Sequence, residues 1–264
     1  MITLLTDFGT ADYFVPAVKG VILSLNPQAA IVDLTHEIPA HDIEAAAFTL
    51  GACWHNFPPG TIHLAVVDPG VGSERRVIVV EAGGQMFVGP DNGIFSYVYA
   101  RDPAARAYHV TRGDLFGHVV SATFHGRDVF APVAAHLSLG ARTESLGYKI
   151  SNFQRFDLPA PAPDESGVGV TGAIIHIDRF GNCITSLTTH ELNPAALKEN
   201  PKLTAGHHEI KRFCTHYAQM PASDEPFAYL GSAGYWEIAV WQGSAARMLG
   251  AQRGMKVTLN CGAS

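Results

Sequence analysis

Apolar and polar positions change their period part-way along the chain. Up to residue 138, short apolar runs typical of buried strands alternate with longer runs whose apolar residues recur at helical spacing. This βαβ rhythm predicts an α/β domain with a mostly parallel sheet flanked by helices on both faces. The predicted strands are 2–6, 30–34, 61–67, 76–81, 85–88 and 107–111, and the predicted helices are 14–25, 42–54, a short one after 93, and 128–138.

A proline-rich stretch ends this rhythm. The segment F-D-L-P-A-P-A-P-D-E-S-G, at 156–167, holds three prolines in alternation. Proline fixes its own backbone angle and lacks an amide donor, so this segment predicts a stiff, extended linker without regular secondary structure. We therefore expect an N-terminal domain at 1–157, a linker at 158–166 and a C-terminal domain at 167–264.

Beyond the linker, short strand-like runs follow one another with turn residues between them. They predict a smaller, mainly antiparallel and barrel-like β domain. The expected strands are 168–177, 183–187, 208–216, 227–230, 236–240 and 256–260, with helices at 192–199 and 244–249.

Composition narrows the classes of partner and compartment. The 264 residues are 47% hydrophobic and 16% charged, as in globular proteins with a sizeable core, and the net charge of −6 without Lys/Arg clusters predicts no nucleic-acid partner. No apolar run approaches the roughly 20 residues of a membrane span. The start of the sequence lacks the basic region of a signal peptide, and four scattered cysteines without C-x-x-C spacing predict neither zinc site nor disulfides. We expect a cytoplasmic protein.

Three side chains that carry chemistry fall on predicted loops. Asp68 ends a predicted strand in V-V-D-P-G-V-G-S-E-R-R, and Arg75 lies where the next strand begins. His125, in T-F-H-G-R-D, precedes a predicted helix. Because ligands bind at the carboxyl ends of strands in open α/β sheets, these residues predict a site there. The alternative interpretation is an ordinary loop salt bridge beside a helix-capping histidine.

Five further segments, together with these two, resemble one enzyme family nearly from end to end. They are L-L-T-D-F-G-T (4–10), T-H-E-I-P-A-H-D-I-E-A-A-A (35–47), G-P-D-N-G (89–93), H-I-D-R-F-G-N (176–182) and E-I-A-V-W-Q-G-S-A-A (237–246). The family is that of the S-adenosyl-L-methionine (SAM) hydrolases that form adenosine, or SAM hydroxide adenosyltransferases, which are related to fluorinase and chlorinase. The resemblance implies hydrolysis of SAM to adenosine and L-methionine without a cofactor, by activated water attacking the ribose 5′-carbon. It also implies a homotrimer with sites between subunits.

The resemblance implies roles for particular residues. Asp68, Arg75 and His125 correspond to the catalytic, water-activating residues. Among the substrate-binding positions, Asp7 corresponds to a ribose contact, and Thr123 and Phe124 to pocket walls. Asp178 corresponds to the partner of the substrate ammonium group, and Phe180 to a stacking ring. Asn182 and Gly243 correspond to adenine contacts. From sequence alone, Asp7 equally suits an N-cap or Asx turn, and D-R-F-G-N a hairpin turn.

The chain departs from its relatives at a few positions. Trp241 stands where the relatives are usually polar, which leaves a polar contact from that position in doubt. Asp68 and Gly126 stand where the halogenases carry a tyrosine and a halide-binding serine, so water is the expected nucleophile. His41 is a possible lining residue.

Two other functions remain open at this stage. One is a metal-dependent hydrolase of a nucleotide-like substrate, although no H-x-x-x-H or H-x-H pair supports it and we expect no metal. The other is a non-catalytic adenosine- or SAM-binding protein. The conceivable metal ligands are Asp7, Asp33, His36, His41, Asp68 and His125.

Overall fold

The computed structural model describes residues 1–117, 119–164, 169–215, 219 and 223–260. The chain divides into two compact units, Met1–Asp157 and Leu158–Ser264. Among the described residues, no helix combines the length and apolar character that crossing a membrane requires.

The first unit contains one sheet, built from the described strands in the order β2-β1-β3-β5-β4-β6-β7. Helices α1 and α4 pack on each other, as do α2 and α3. The strands are β1 Ile2–Thr6, β2 Ile31–Thr35, β3 Ile62–Val66, β4 Val77–Ala82, β5 Gln85–Pro90, β6 Arg106–Val110 and β7 Gly147–Ile150, and the helices are α1 Phe14–Leu25, α2 Ile43–Cys53, α3 Ser96–Arg101 and α4 Ala131–Ser138.

The sheet is mixed, so the prediction of a mostly parallel sheet is wrong in part. Strand β1 pairs parallel with β2 and β3, and β3 pairs parallel with β5, whereas β4 runs antiparallel to β5 and β6, and β6 to β7. The cause is the two-residue connection Gly83–Gly84, where both glycines have positive φ. Such a connection is typical of a β-hairpin, which can only join antiparallel strands. The G-G pair was the sequence signal for this reversal.

Side chains on this sheet alternate between two hydrophobic cores. Leu4 and Leu64 belong to the core under α1 and α4, while their neighbours Leu5 and Ala65 belong to the core under α2 and α3. Successive side chains of a strand point to opposite faces, so strands covered on both sides are apolar throughout. The expected helices on both faces are therefore present.

Parallel pairing brings two acids to the same edge of the sheet. Thr6 of β1 lies in register with Val66 of β3. Asp7 follows β1 directly, and Asp68 follows β3 after one further residue. The fold thus places both carboxylates at the carboxyl ends of adjacent strands.

The second unit is mainly antiparallel. Its described strands run in the order β12-β11-β16-β9-β10-β15-β14-β13, with β8 pairing beside β9. Lys211 alone separates the two end strands along the chain, so the sheet curves into a nearly closed barrel. The strands are β8 Ala162–Pro163, β9 Val170–Ile177, β10 Cys183–Thr188, β11 Lys202–Ala205, β12 His208–Ile210, β13 Arg212–Cys214, β14 Phe227–Leu230, β15 Tyr235–Ala239 and β16 Lys256–Asn260, with helix α5 Ala245–Leu249.

Three local expectations for this unit need correction. The segment expected to lack regular structure contains the short strand β8, which an edge position allows because proline there loses no ladder donor. The strand expected at 208–216 is two strands, and residue 216 lies outside the described residues, as do 165–168 of the expected linker and strand. The helix expected at 192–199 is a 3₁₀ turn, Pro194–Glu199.

Candidate active site

Arg75 joins Asp68 and His125 in the first unit. Its Nε donates to both carboxylate oxygens of Asp68 at 2.9 Å, and a terminal nitrogen also contacts Oδ2. The same terminal nitrogen lies 2.8 Å from Nδ1 of His125. Arg75 therefore connects Asp68, in its own segment, with His125, which the sequence placed on a second loop.

This contact fixes the tautomer of His125. A guanidinium has only donors, so Nδ1 of the imidazole must accept. The neutral ring then carries its proton on Nε2. Burial lowers the pKa of His125, and the positive charge of Arg75 lowers it further, against smaller opposing effects of Asp68 and Asp128. His125 is thus held neutral, with an N–H available to donate.

The π-turn that follows His125 sets the direction of its ring. Residues Gly126–Phe130 form one π-helical turn ahead of α4. Pro132 lacks the amide that would bond the carbonyl of Asp128 in an α-helix, and Gly117 N donates to that carbonyl instead at 2.8 Å. His125 makes no side-chain capping bond, which removes the helix-capping interpretation. Such π-turns occur frequently at functional sites.

Two packing contacts hold the loops of this cluster. The guanidinium of Arg75 lies 5.0 Å from the ring centroid of the buried Phe130, within range of a cation–π interaction. Gly72 has φ +79°, and a Cβ there would lie 2.5 Å from the carbonyl oxygen of Ala122. Only glycine therefore lets the Asp68 loop approach the His125 loop this closely.

A cavity of about 290 Å³ opens in front of Asp68 and His125. Asp7 lies in its wall and accepts a hydrogen bond from the backbone of His41 at 2.9 Å. It does not cap α1, whose N-cap is Tyr13. The lining consists of Asp7, Phe8, Phe14, Ala40, His41, Val66, Asp68, Val71, Thr123, Phe124, His125 and Gly126.

An aromatic cluster forms the apolar side of this cavity. The ring of Phe124 contacts those of Phe8 and Phe14, at centroid distances of 6.0 and 5.2 Å. The guanidinium of Arg127 covers the Phe124 ring at 4.9 Å. Phe124 is therefore fixed between an aromatic pair and a cation, and the sequence motif did not indicate these partners.

In the second unit, a tight turn between β9 and β10 carries three of the expected binding residues. Asp178 Oδ1 accepts from the backbone amides of Phe180 and Asn182 at 2.9 and 2.8 Å, and Oδ2 accepts from Asn182 Nδ2 at 2.9 Å. The amide of Asn182 is thereby oriented. Its Oδ1 is buried without a partner among the described residues.

Around this turn lies a second cavity, of about 750 Å³. Gly243 lines it at a turn where its amide donates to Val240 at 3.2 Å, whereas Trp241 packs towards the apolar cluster around Phe227. The sequence motif gave no sign that Glu237 would face this cavity. The lining consists of Asp178, Phe180, Asn182, Tyr229, Ser232, Glu237, Gln242, Gly243 and Arg247.

Glu237 is a buried acid at 7% exposure. Tyr229 donates to its Oε2 at 2.6 Å. Burial raises the pKa of Glu237, the Tyr229 hydrogen bond lowers it, and the charge of Asp178 raises it. Two carboxylates in one cavity favour a cationic ligand group.

The other acids and histidines considered as metal ligands are used differently. Asp33 pairs with Lys19 at 2.6 Å, and His36 bonds Thr6 through Nδ1 at 2.8 Å. Within the described ranges, no three His, Cys, Asp or Glu side chains converge as a metal site requires.

The structure thus brings the expected residues together in two groups. Asp7, Asp68, Thr123, Phe124 and His125 line the first cavity, with Arg75 behind them. The second cavity holds the remaining four, namely Asp178, Phe180, Asn182 and Gly243.

Comparison with known proteins assigns both units. Residues 2–147 match the SAM hydroxide adenosyltransferase N-terminal domain, and residues 172–258 match the C-terminal domain. The chain is 38% identical to an (R)-S-adenosyl-L-methionine hydrolase of Thermus thermophilus over 97% of each chain. A fluorinase of an Actinoplanes species is a more distant relative, 25% identical over 90% of each chain.

A solved structure gives the same assignment of fold. The crystal structure of an uncharacterized conserved protein from Thermotoga maritima superposes with a TM-score of 0.90 at 32% identity, covering 98% of this chain and all of the other. Both matched domains and the similarity to relatives along nearly the whole chain show that this protein belongs to the SAM hydroxide adenosyltransferase family.

Proposed function

We propose that the protein hydrolyses S-adenosyl-L-methionine to adenosine and L-methionine. The observation that carries this proposal is the contact of Arg75 with both Asp68 and His125 at the wall of a ligand-sized cavity. The named activity of the Thermus thermophilus relative supports it.

The proposed reaction is a displacement at the ribose 5′-carbon. The oxygen of a water attacks this carbon while the carbon–sulfur bond breaks and its electron pair passes to sulfur. Methionine leaves as a neutral thioether, so no general acid is needed. The water must instead lose a proton and be aimed along the line of attack.

The geometry supports separate roles for the three side chains. Nε2–H of neutral His125 donates to the water oxygen, because Nδ1 is occupied by Arg75. Asp68 accepts the proton of the water and then releases it to solvent. The positive charge of Arg75 stabilises the developing hydroxide. This assignment gives the proton to Asp68 alone and leaves His125 to orient the water.

Substrate binding is shared between the cavities in this proposal. Asp7 binds the ribose hydroxyls, and Thr123 and Phe124 form walls. Asn182 Oδ1, left without a partner by the orientation of its amide, accepts from the adenine amino group. Phe180 stacks on the purine, and the Gly243 backbone contacts the adenine edge.

For the methionine end we propose Glu237 beside Asp178 as the partner of the α-ammonium group. Both oxygens of Asp178 already accept hydrogen bonds within its own turn. Glu237 has one oxygen bonded to Tyr229 and faces the cavity. An ammonium group there offsets the cost of burying this carboxylate.

We further propose a homotrimer in which the first cavity of one copy meets the second cavity of a neighbour. The support is the exposure of Phe180, 75% of whose surface is open in a single chain. A large ring at a cavity edge is typical of a surface that a partner covers. A fully active monomer in light scattering would contradict this arrangement.

The cytoplasm is the compartment that we propose. Cys53 and Cys183 are free thiols, and burial raises the pKa of Cys53 to about 11 and of Cys183 to about 12. Inert, unpaired cysteines suit a reducing environment.

The test is incubation with SAM in ¹⁸O-labelled water, followed by mass spectrometry of the products. We expect adenosine labelled at the 5′-hydroxyl, unlabelled methionine, and an unchanged rate after exhaustive chelation. Intact SAM, or adenosine without label, would refute the proposal. Loss of activity on chelation would favour a metal-dependent hydrolase.

A further inference from the structure

The turn after β5 contacts the backbone on both sides of the Asp68–Arg75 pair. It is the end of the segment G-P-D-N-G, 89–93, which begins in the last two residues of β5 and whose function the proposed reaction leaves unexplained. Asp91 is buried and Asn92 is half-buried, and both lie outside the lining of the first cavity.

Asn92 holds the peptide that precedes Asp68. Its Nδ2 donates to the carbonyl of Val67 at 2.9 Å, and its Oδ1 accepts from Ile94 N at 3.2 Å. Because Ile94 N–H is a donor, the amide has one orientation in this turn. Val67 is fully buried, and its carbonyl belongs to the peptide bond with Asp68.

Asp91 holds the residue that follows Arg75. Its Oδ2 accepts from Arg76 at 2.7 Å from Nε and 2.6 Å from a terminal nitrogen. The backbone amide of Asp91 also donates to the carbonyl of Arg76 at 3.0 Å. Its other oxygen accepts from Gln154 N at 2.7 Å. Arg76 is thereby fixed in both backbone and side chain.

These two anchors matter because they hold the ends of the loop that carries Asp68 and Arg75. The bonds inside the loop, from Val71 N to the carbonyl of Asp68 at 3.1 Å and from Ser73 N to that of Gly70 at 3.0 Å, join loop residues only to one another. The positions of its ends therefore determine where Asp68 and Arg75 meet. Arg75 in turn sets the distance to His125.

We propose that Asp91 and Asn92 are positioning residues, which hold the peptides beside Asp68 and Arg75 and so fix the geometry in which Arg75 joins Asp68 to His125. The inference rests on the proposed function of those three side chains and adds the device that aligns them. Neither residue contacts the reacting atoms.

The main test is Asn92→Asp, which keeps the size and the acceptor for Ile94 but faces the Val67 carbonyl with an oxygen. We expect kcat for SAM to fall roughly 10- to 100-fold, because small misplacements are costly in catalysis. KM should change less than about threefold.

A matched control exists at the end of α1. Asn26 accepts from the amide two residues on, Gln28 N, at 3.1 Å, as Asn92 does from Ile94 N, and donates through Nδ2 to a side-chain hydroxyl, Ser138 Oγ, at 2.9 Å. Asn26→Asp should leave kcat at the wild-type value. Asp91→Asn tests the second anchor and replaces Asn92→Asp if thermal unfolding shows that the latter does not fold.

A second readout does not depend on turnover. Arg75 lowers the pKa of His125, after burial, while Asp68 and Asp128 raise it. Displacing Arg75 should raise the His125 pKa in Asn92→Asp and Asp91→Asn, but not in Asn26→Asp. An NMR titration of the ring proton, assigned with His125→Asn, measures this.

The two readouts must agree in a folded variant. A kcat equal to that of Asn26→Asp, or an unchanged His125 titration, would overturn the inference. If the wild-type protein leaves SAM intact, the proposed function fails. The titration alone then decides whether Asp91 and Asn92 hold this cluster.

Discussion

The two cavities hold their charged groups in opposite ways. In the first unit, Asp68 is locked by a bidentate arginine, which a histidine holds in turn, before any ligand arrives. In the second, Glu237 is buried with one tyrosine hydroxyl, and Asn182 has an acceptor without a partner. A satisfied, rigid cluster suits catalysis, whereas unsatisfied polar groups suit ligand binding, because the ligand completes them. We therefore expect substitutions in the first cavity to lower kcat and those in the second to raise KM.

The largest effect should come from Asp68→Asn, which removes the proton acceptor without changing size. We expect kcat to fall roughly 10²- to 10⁴-fold with KM for SAM little changed. Asp114→Asn is the control, because Asp114 has a similar bidentate arginine partner, Arg112, at an exposed site. Turnover of Asp68→Asn or Asp68→Ala within about tenfold of wild type would contradict the role of Asp68.

Lowering the pH should change the stability of the two units in opposite directions. His63 is fully buried between Thr3 and Gln85, and burial lowers its pKa to about 4 against a model-peptide value of 6.5. The unfolded chain therefore binds more protons between these values. The contribution of His63 to the free energy of unfolding is therefore complete above about pH 6.5. It is lost as the pH falls towards about 4, and the loss is about 3 kcal/mol in total. Protection factors for amide exchange in β1 and β3, which correct for the intrinsic exchange rate at each pH, should fall in this range.

Glu237 should respond in the opposite direction. Its folded pKa is raised, so the folded second unit binds more protons than the unfolded chain, and acidification relieves the cost of the buried charge.

The control for His63 is His207→Asn at an exposed turn, which should leave the exchange profile unchanged. Protection factors in β1 and β3 that do not change with pH would show that His63 does not limit their stability.

A smaller effect is expected for binding. Glu237→Gln removes a charge-assisted contact to the substrate ammonium, worth about 1.5–3 kcal/mol, so KM should rise roughly 10- to 100-fold. We expect kcat to remain within about threefold of wild type. Glu209→Gln, which removes a carboxylate paired with exposed lysines, is the control. A loss confined to kcat would break the division of roles between the cavities.

The smallest effect should come from Gly72→Ala. The new Cβ would meet the Ala122 carbonyl and force the Asp68 and His125 loops apart, lowering kcat by roughly tenfold. Gly140→Ala has a similar backbone angle, φ +92°, but open space around the Cβ. It measures the backbone strain alone, and equal kcat values in the two variants would remove the argument from loop packing.

The sequence predicted where strands and helices lie along the chain better than it predicted whether paired strands run parallel or antiparallel. Apolar runs such as 61–67 marked strands because residues covered on both faces are continuously apolar. Gly83–Gly84 was visible as a turn, yet its consequence, an antiparallel hairpin inside an α/β rhythm, required strand pairing. Local patterns specify elements, whereas pairing depends on contacts between distant residues.

The candidate site shows the same division. The residue types at positions 68, 75 and 125 were sufficient to suggest an acid, a cation and an imidazole on loops. The sequence did not predict the hydrogen bonds of these residues, the tautomer of His125 or the burial of Glu237, because each depends on side chains far apart in sequence. No periodicity marks a residue such as Asn92, whose partner is a backbone carbonyl.

By itself, the amino-acid sequence predicted two units, most of their strands and part of the lining of each cavity. Only the tertiary structure decided that the first sheet is mixed, that Arg75 bridges Asp68 and His125, and that Glu237 faces Asp178 across a cavity. The physical reason is that hydrophobic period and turn chemistry act over a few residues. Charge, burial and hydrogen-bond direction, in contrast, are set by neighbours that folding alone brings near.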